Sequence, residues 1–121
     1  MKKLVLFAII LAAPLFLSAA GPKPKQVTLT GEIIDVQCYV KSGQHGKEHL
    51  DCATTCIKGG SPVGLLEDST GTVYVIIPQK GSRSANVALQ PYIAEHVAVN
   101  GELRERGKTV LLFYSSIERL K

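Results

Sequence analysis

The chain has 121 residues, with 14 basic and 10 acidic side chains and a formal net charge of +4, a length that fits one modest domain and leaves no room for a second. Lys2 and Lys3 belong to an apolar leader, so the remainder carries twelve basic and ten acidic groups, spread along the chain. A surface that tracks phosphates needs its positive charge clustered, so nucleic acid is not expected as a partner.

After Lys2 and Lys3 the leader runs apolar from Leu4 to Leu17 and ends in Ser18, Ala19 and Ala20, which is the order of a secretory signal. The apolar run has 14 residues with Pro14 inside it. A membrane span needs about 20. The expectation is a signal peptide over residues 1–20, removed on export, with no membrane association afterwards and a periplasmic or secreted destination. No cysteine follows the small residues to carry an acyl anchor. An oxidising compartment lets disulfides form and persist.

Residues 21–26 (Gly-Pro-Lys-Pro-Lys-Gln) are polar and proline-spaced and read as a linker, leaving residues 27–121 as the single domain. A first long strand starts at Val27: Val27, Leu29 and Ile33 alternate about Gly31, and then Ile34, Val36 and Cys38 take the other parity. Such a change of phase is what a bulge or sharp coil produces. Lys47 to Lys58 reads as a helix stopped by Gly59-Gly60. Val63 to Glu67 and Thr72 to Pro78 read as strands joined by the turn Asp68-Ser-Thr-Gly71, and Ala85 to Glu95 as a weak helix interrupted by Pro91. Two more strands follow, Val97 to Arg106 and Thr109 to Ile117. The fourth opens like the first, with Val27-Thr-Leu-Thr-Gly31-Glu-Ile33 matched by Val97-Ala-Val-Asn-Gly101-Glu-Leu103, which fits long strands that bend at the corner of a small closed sheet.

The expected fold is mainly β: a small five-stranded OB-like barrel, with a Cys/His-bearing helical insertion between strands 1 and 2 and a short helix between strands 3 and 4. Over Val27 to about Leu120 the chain resembles bacterial periplasmic OB-fold proteins. It is similar in particular to a group of short exported bacterial proteins that carry a first-strand Cys-Tyr and then a helix bearing His-x-x-Cys-Ala-x-x-Cys. The matching residues are Cys38-Tyr39, His49, Cys52-Ala53 and Cys56, followed by Gly60-Ser-Pro62-Val-Gly64-Leu-Leu66. This resemblance implies an architecture and an export route, and it assigns no activity.

The insertion holds all three cysteines of the chain. On a helix over Lys47 to Lys58, His49, Cys52 and Cys56 stand at i, i+3 and i+7 and share one face. Cys38, at the end of the first strand, is the third sulfur that could approach it. Three thiolates and one imidazole complete a tetrahedral shell for zinc, and the same sulfurs favour Cu(I). Because four protein ligands close the shell, such a site indicates metal holding or transfer, where a catalytic zinc keeps a position for water.

The alternative is a disulfide from Cys38 to Cys52 or to Cys56, closing a loop worth about 3 kcal/mol in chain entropy and leaving one thiol over. A Cys52–Cys56 bridge fits an intact helix poorly, since i and i+4 β-carbons lie about 5–6 Å apart and a disulfide prefers about 3.5–4.5 Å. Thiol-redox catalysis ranks third: no Cys-x-x-Cys is present, and Asp51 beside Cys52 does nothing to lower a thiol pKa. His45 reads as an exposed loop residue and His96 as structural. Haem attachment is not expected without Cys-x-x-Cys-His. Neither a nucleophile motif nor a phosphate loop is present. The five aromatics after the leader, Tyr39, Tyr74, Tyr92, Phe113 and Tyr114, are too few to stack bases and also fill a core. The sequence therefore points to a non-enzymatic binding module that holds one zinc or copper ion through Cys38, His49, Cys52 and Cys56. The second reading is a disulfide-stapled domain without metal that uses a barrel face or loop to bind another envelope protein or a small molecule.

Overall fold

The computed structural model of the chain describes residues 21–121, and the leader expected over residues 1–20 lies outside the described residues. Five strands, β1 (Lys25–Asp35), β2 (Val63–Glu67), β3 (Val73–Pro78), β4 (His96–Arg106) and β5 (Thr109–Arg119), close a barrel in the order β1-β2-β3-β5-β4. Neighbours run antiparallel except β3 and β5, which are parallel. Helices α1 (Val36–Ser42) and α2 (Leu50–Lys58) form the insertion between β1 and β2, and α3 (Ala85–Ala88) follows β3. This is the small OB-like barrel that the order of elements predicts. Among the described residues no helix is long and apolar enough to cross a membrane.

The change of phase along β1 has a topological cause. Lys25 to Glu32 pair with β4 and Gly31 to Asp35 with β2, so this one strand serves both sides of the barrel. Its last five residues are all buried, whichever way they point. The two similar segments lie against each other, Val27 opposite Gly101 and Gly31 opposite Val97. Both glycines sit where another strand's backbone comes too close for a side chain. A Cβ on Gly31 would lie 2.1 Å from the Leu66 carbonyl oxygen, and one on Gly101 would lie 2.2 Å from that of Phe113, at the irregularity between Asn100 and Gly101. Because the obstacle in each case is backbone, Gly31→Ala is expected to cost about 1–3 kcal/mol, read as a lower denaturant midpoint.

Three local details differ from the sequence expectation. Cys38 lies on a helix, because β1 stops at Asp35 and that residue caps α1. The segment Ala85 to Glu95 is not one helix: α3 has four residues, and a 3-10 turn follows at Gln90–Tyr92. Pro91 has no N–H to continue an α-helical ladder. The barrel also begins two residues inside the expected linker, with Lys25 and Gln26 opposite Leu103 and Glu102.

Ile33, Leu65, Val97, Val99 and Leu112 are fully shielded from solvent at the centre of the barrel. Ala53 and Ile57, one turn apart on α2, join the same cluster and dock the helix on the barrel. That docking fixes which way the rest of α2 faces.

Candidate metal centre

Asp35 builds the start of the site. Its backbone is extended (φ −77°, ψ 109°), and its Oδ1 accepts the Gln37 N–H at 2.9 Å, so the chain leaves the sheet and enters α1 at once. Oδ1 also accepts the hydroxyl of buried Ser61, which ties the start of α1 to the segment leading into β2. Cys38 falls in the first turn of α1. On the facing element, Cys52 and Cys56 stand one turn apart on α2, beside the docked pair Ala53 and Ile57. The C-terminal end of α2 is held by Asn86, whose Nδ2 donates to the carbonyls of Ile57 (2.9 Å) and Ser61 (2.8 Å).

His49 is the last residue of a 3-10 turn, Lys47–His49, and precedes the first residue of α2. It is therefore not in continuous α-helical phase with Cys52 and Cys56, as a single helix from Lys47 would have it. The loop before it is clasped by buried Glu32, which accepts the Gly46 N–H and lies 2.9 Å from His45 Nδ1. The His49 N–H donates to the Gly46 carbonyl at 3.0 Å, so the clasp positions the imidazole. Lys47 pairs with Glu95 across the same loop.

These elements bring the donors together in two groups. The Sγ atoms of Cys38, Cys52 and Cys56 all lie within 4.8 Å of one another, and so do donor atoms of Asp35, Cys38 and His49. Cys38 belongs to both groups. His49 is thus gathered with Cys38 and Asp35, and not with the two sulfurs of α2. All three cysteines are free; Cys38 and Cys56 are half-buried and Cys52 is exposed. Asp35, which the sequence reading does not include, is 1% exposed. Its signal in the sequence is a lone carboxylate within the apolar run Ile33-Ile34-Asp35-Val36.

The electrostatics suit a cation. Asp35 Oδ2 and His49 Nε2 are buried polar atoms with no hydrogen-bond partner, a condition that ordinarily costs about 1–3 kcal/mol per group. Burial works to raise the Asp35 carboxyl, but its interactions with the Cys38 thiol, the Ser61 hydroxyl and nearby backbone N–H groups outweigh this and hold it below its ordinary value of 3.8. The Asp35 carboxylate in turn favours the protonated Cys38 thiol as the acceptor of its proton, and with partial burial pushes it up to about 12. Asp35 Oδ2 nevertheless has no hydrogen-bond partner among the described residues. Cys56 is raised by burial first and then by its neighbour Cys52.

Without an ion, the thiols of Cys38 and Cys56 hold their protons at neutral pH. A metal must displace them, so binding is expected to tighten as pH rises and to release the protons of Cys38 and Cys56. Calorimetry in buffers of different ionisation enthalpy counts those protons; a release near zero would mean that the sulfurs are not ligands. Three converging sulfurs, with an imidazole and a carboxylate beside them, are a donor set for a soft or borderline ion such as zinc or copper.

The chain matches no protein-family model, no curated protein and no solved structure.

Proposed function

We propose that the protein is an exported, non-enzymatic binding module of the periplasm or extracellular space, and that it holds one zinc or copper ion through Cys38, Cys52 and Cys56, with His49 as the fourth donor. The observation that carries this reading is the convergence of three free sulfurs, drawn from two different helices, within 4.8 Å. The orphaned His49 Nε2 supports it, since a buried imidazole nitrogen without a partner beside Cys38 is available to a cation. Cys52 is open to solvent and offers an incoming ion its first sulfur. Export, and kinship with the short exported OB-fold proteins, rest on the leader and on the Cys-Tyr and His-x-x-Cys-Ala-x-x-Cys pattern. A further envelope protein is the natural recipient or donor of the ion.

The test is a joint count of metal and thiols in protein purified from its native compartment with neither reductant nor added metal. The expected result is bound zinc or copper, with three thiols becoming titratable on chelation. Protein with no ion and a single free thiol would instead show a disulfide, and the domain would be a stapled interaction module.

A further inference from the structure

We infer that the centre is built for two zinc ions that share the Cys38 thiolate. One ion lies among Cys38, Cys52 and Cys56, and the other among Asp35, Cys38 and His49. This rests on the metal-holding reading above for the three sulfurs, and it transfers His49 from the first ion to the second.

Four observations lead to it. The donors form two groups, not one, and Cys38 is the single member of both. His49 is gathered with Asp35 and Cys38 and not with the α2 sulfurs, so an ion among the three sulfurs takes His49 as its fourth donor only if the imidazole moves. The second group contains both of the residues with a buried polar side-chain atom that lacks a hydrogen-bond partner among the described residues, Asp35 (Oδ2) and His49 (Nε2). Asp35 is 99% shielded, and its other oxygen is already occupied by the Gln37 N–H and the Ser61 hydroxyl, so Oδ2 is oriented and free.

The two donor groups set the stoichiometry, and charge agrees with it. Once metal has displaced the thiol protons, three thiolates and one carboxylate carry four negative charges, which the bound ions compensate in a partly buried site. One divalent ion leaves half of it unbalanced, and two divalent ions neutralise it. Thiolate, imidazole and carboxylate are each ordinary zinc ligands. Cu(I) prefers sulfur, and two such ions would balance only two of the four charges. The mixed set therefore selects zinc, and a thiolate shared between two metals is the way that one cysteine serves both groups.

Titrating the reduced, metal-free protein with zinc against a chromophoric chelator tests this directly. The wild type is expected to take up two tight equivalents per chain. His49→Ala and Asp35→Asn are each expected to lower the count to one and to keep the ion of the three sulfurs; asparagine retains an oxygen to cap α1. With cobalt in place of zinc, the wild type should show sulfur-to-metal charge transfer and magnetic coupling between two ions, and both variants should lose the coupling. Saturation of the wild type at one equivalent would overturn the two-ion centre and leave the single-ion reading intact. Uptake of no zinc would overturn the two-zinc centre, and uptake of neither zinc nor Cu(I) would overturn the single-ion reading as well. Two equivalents retained in both variants would remove Asp35 and His49 from the centre. The wild-type endpoint decides the matter even where a variant fails to fold.

Discussion

Zinc is expected to raise the unfolding temperature of the wild-type protein steeply and to do nothing for Cys38→Ser. A ligand present at a thousand times its Kd stabilises the state that binds it by about 4 kcal/mol. For a domain of this size that corresponds to a rise of about 15–30 °C. Cys38 is the one donor common to both groups, so serine there, a poor ligand for a soft ion, removes the anchor of the whole centre. Cys52→Ser breaks only the three-sulfur group and is expected to keep part of the shift. The comparison also separates a metal site from a staple. In a protein held by a disulfide through Cys38, the serine variant would lose about 3 kcal/mol without any metal present, and zinc would not change the wild type. Thermal unfolding of both proteins, purified without reductant and measured with or without zinc, reads out the difference; a Cys38→Ser variant that keeps the full zinc shift contradicts the account.

Ile57→Ala is expected to be the most damaging substitution outside the donors. The side chain is 1% exposed and lies in the central cluster with Ile33, Leu65 and Val97. Truncating a buried isoleucine to alanine costs about 2–5 kcal/mol, against a total stability for a small domain of about 5–15 kcal/mol. The loss also reaches the site, because Ala53 and Ile57 set the rotation of α2 and hence the aim of Cys52 and Cys56. The variant should unfold at a lower denaturant concentration with an unchanged slope, and it should hold zinc less tightly. Val40→Ala, at a residue of α1 that is 73% exposed, is the control and should change stability by no more than about 0.5 kcal/mol. Equal effects from the two substitutions would mean that the docking of α2 does not organise the centre.

The barrel was largely legible from residue pattern, because the features that close it are local and repeated. The two segments centred on Gly31 and Gly101 signal long bent strands, and the structure lays them side by side with each glycine where a neighbouring carbonyl leaves no room for a Cβ. The turn at Asp68 to Gly71 and the glycine stop after Lys58 lie where turn and cap residues put them.

The site was legible in its membership and less so in its layout. Val36 and Cys38 continue a strand-like alternation, and only the capping oxygen of Asp35 turns that stretch into a helix. A short polar residue in an apolar run reads equally well as an interruption of a strand, so the cap is visible only once its partner at Gln37 is in place. The spacing of His49, Cys52 and Cys56 presumes one uninterrupted helix. A 3-10 turn before Leu50, held by the long-range clasp from Glu32 to Gly46 and His45, rotates His49 out of that register and toward Asp35. Contacts between residues 13 and 14 positions apart leave no periodic trace in a sequence.

X-ray absorption at the metal edge of the zinc-loaded protein tests most directly the claim that sulfurs from two helices hold an ion. The account predicts a first shell dominated by sulfur at about 2.3 Å, with nitrogen or oxygen at about 2.0–2.2 Å as the lesser part. A first shell made up of nitrogen and oxygen alone would contradict it.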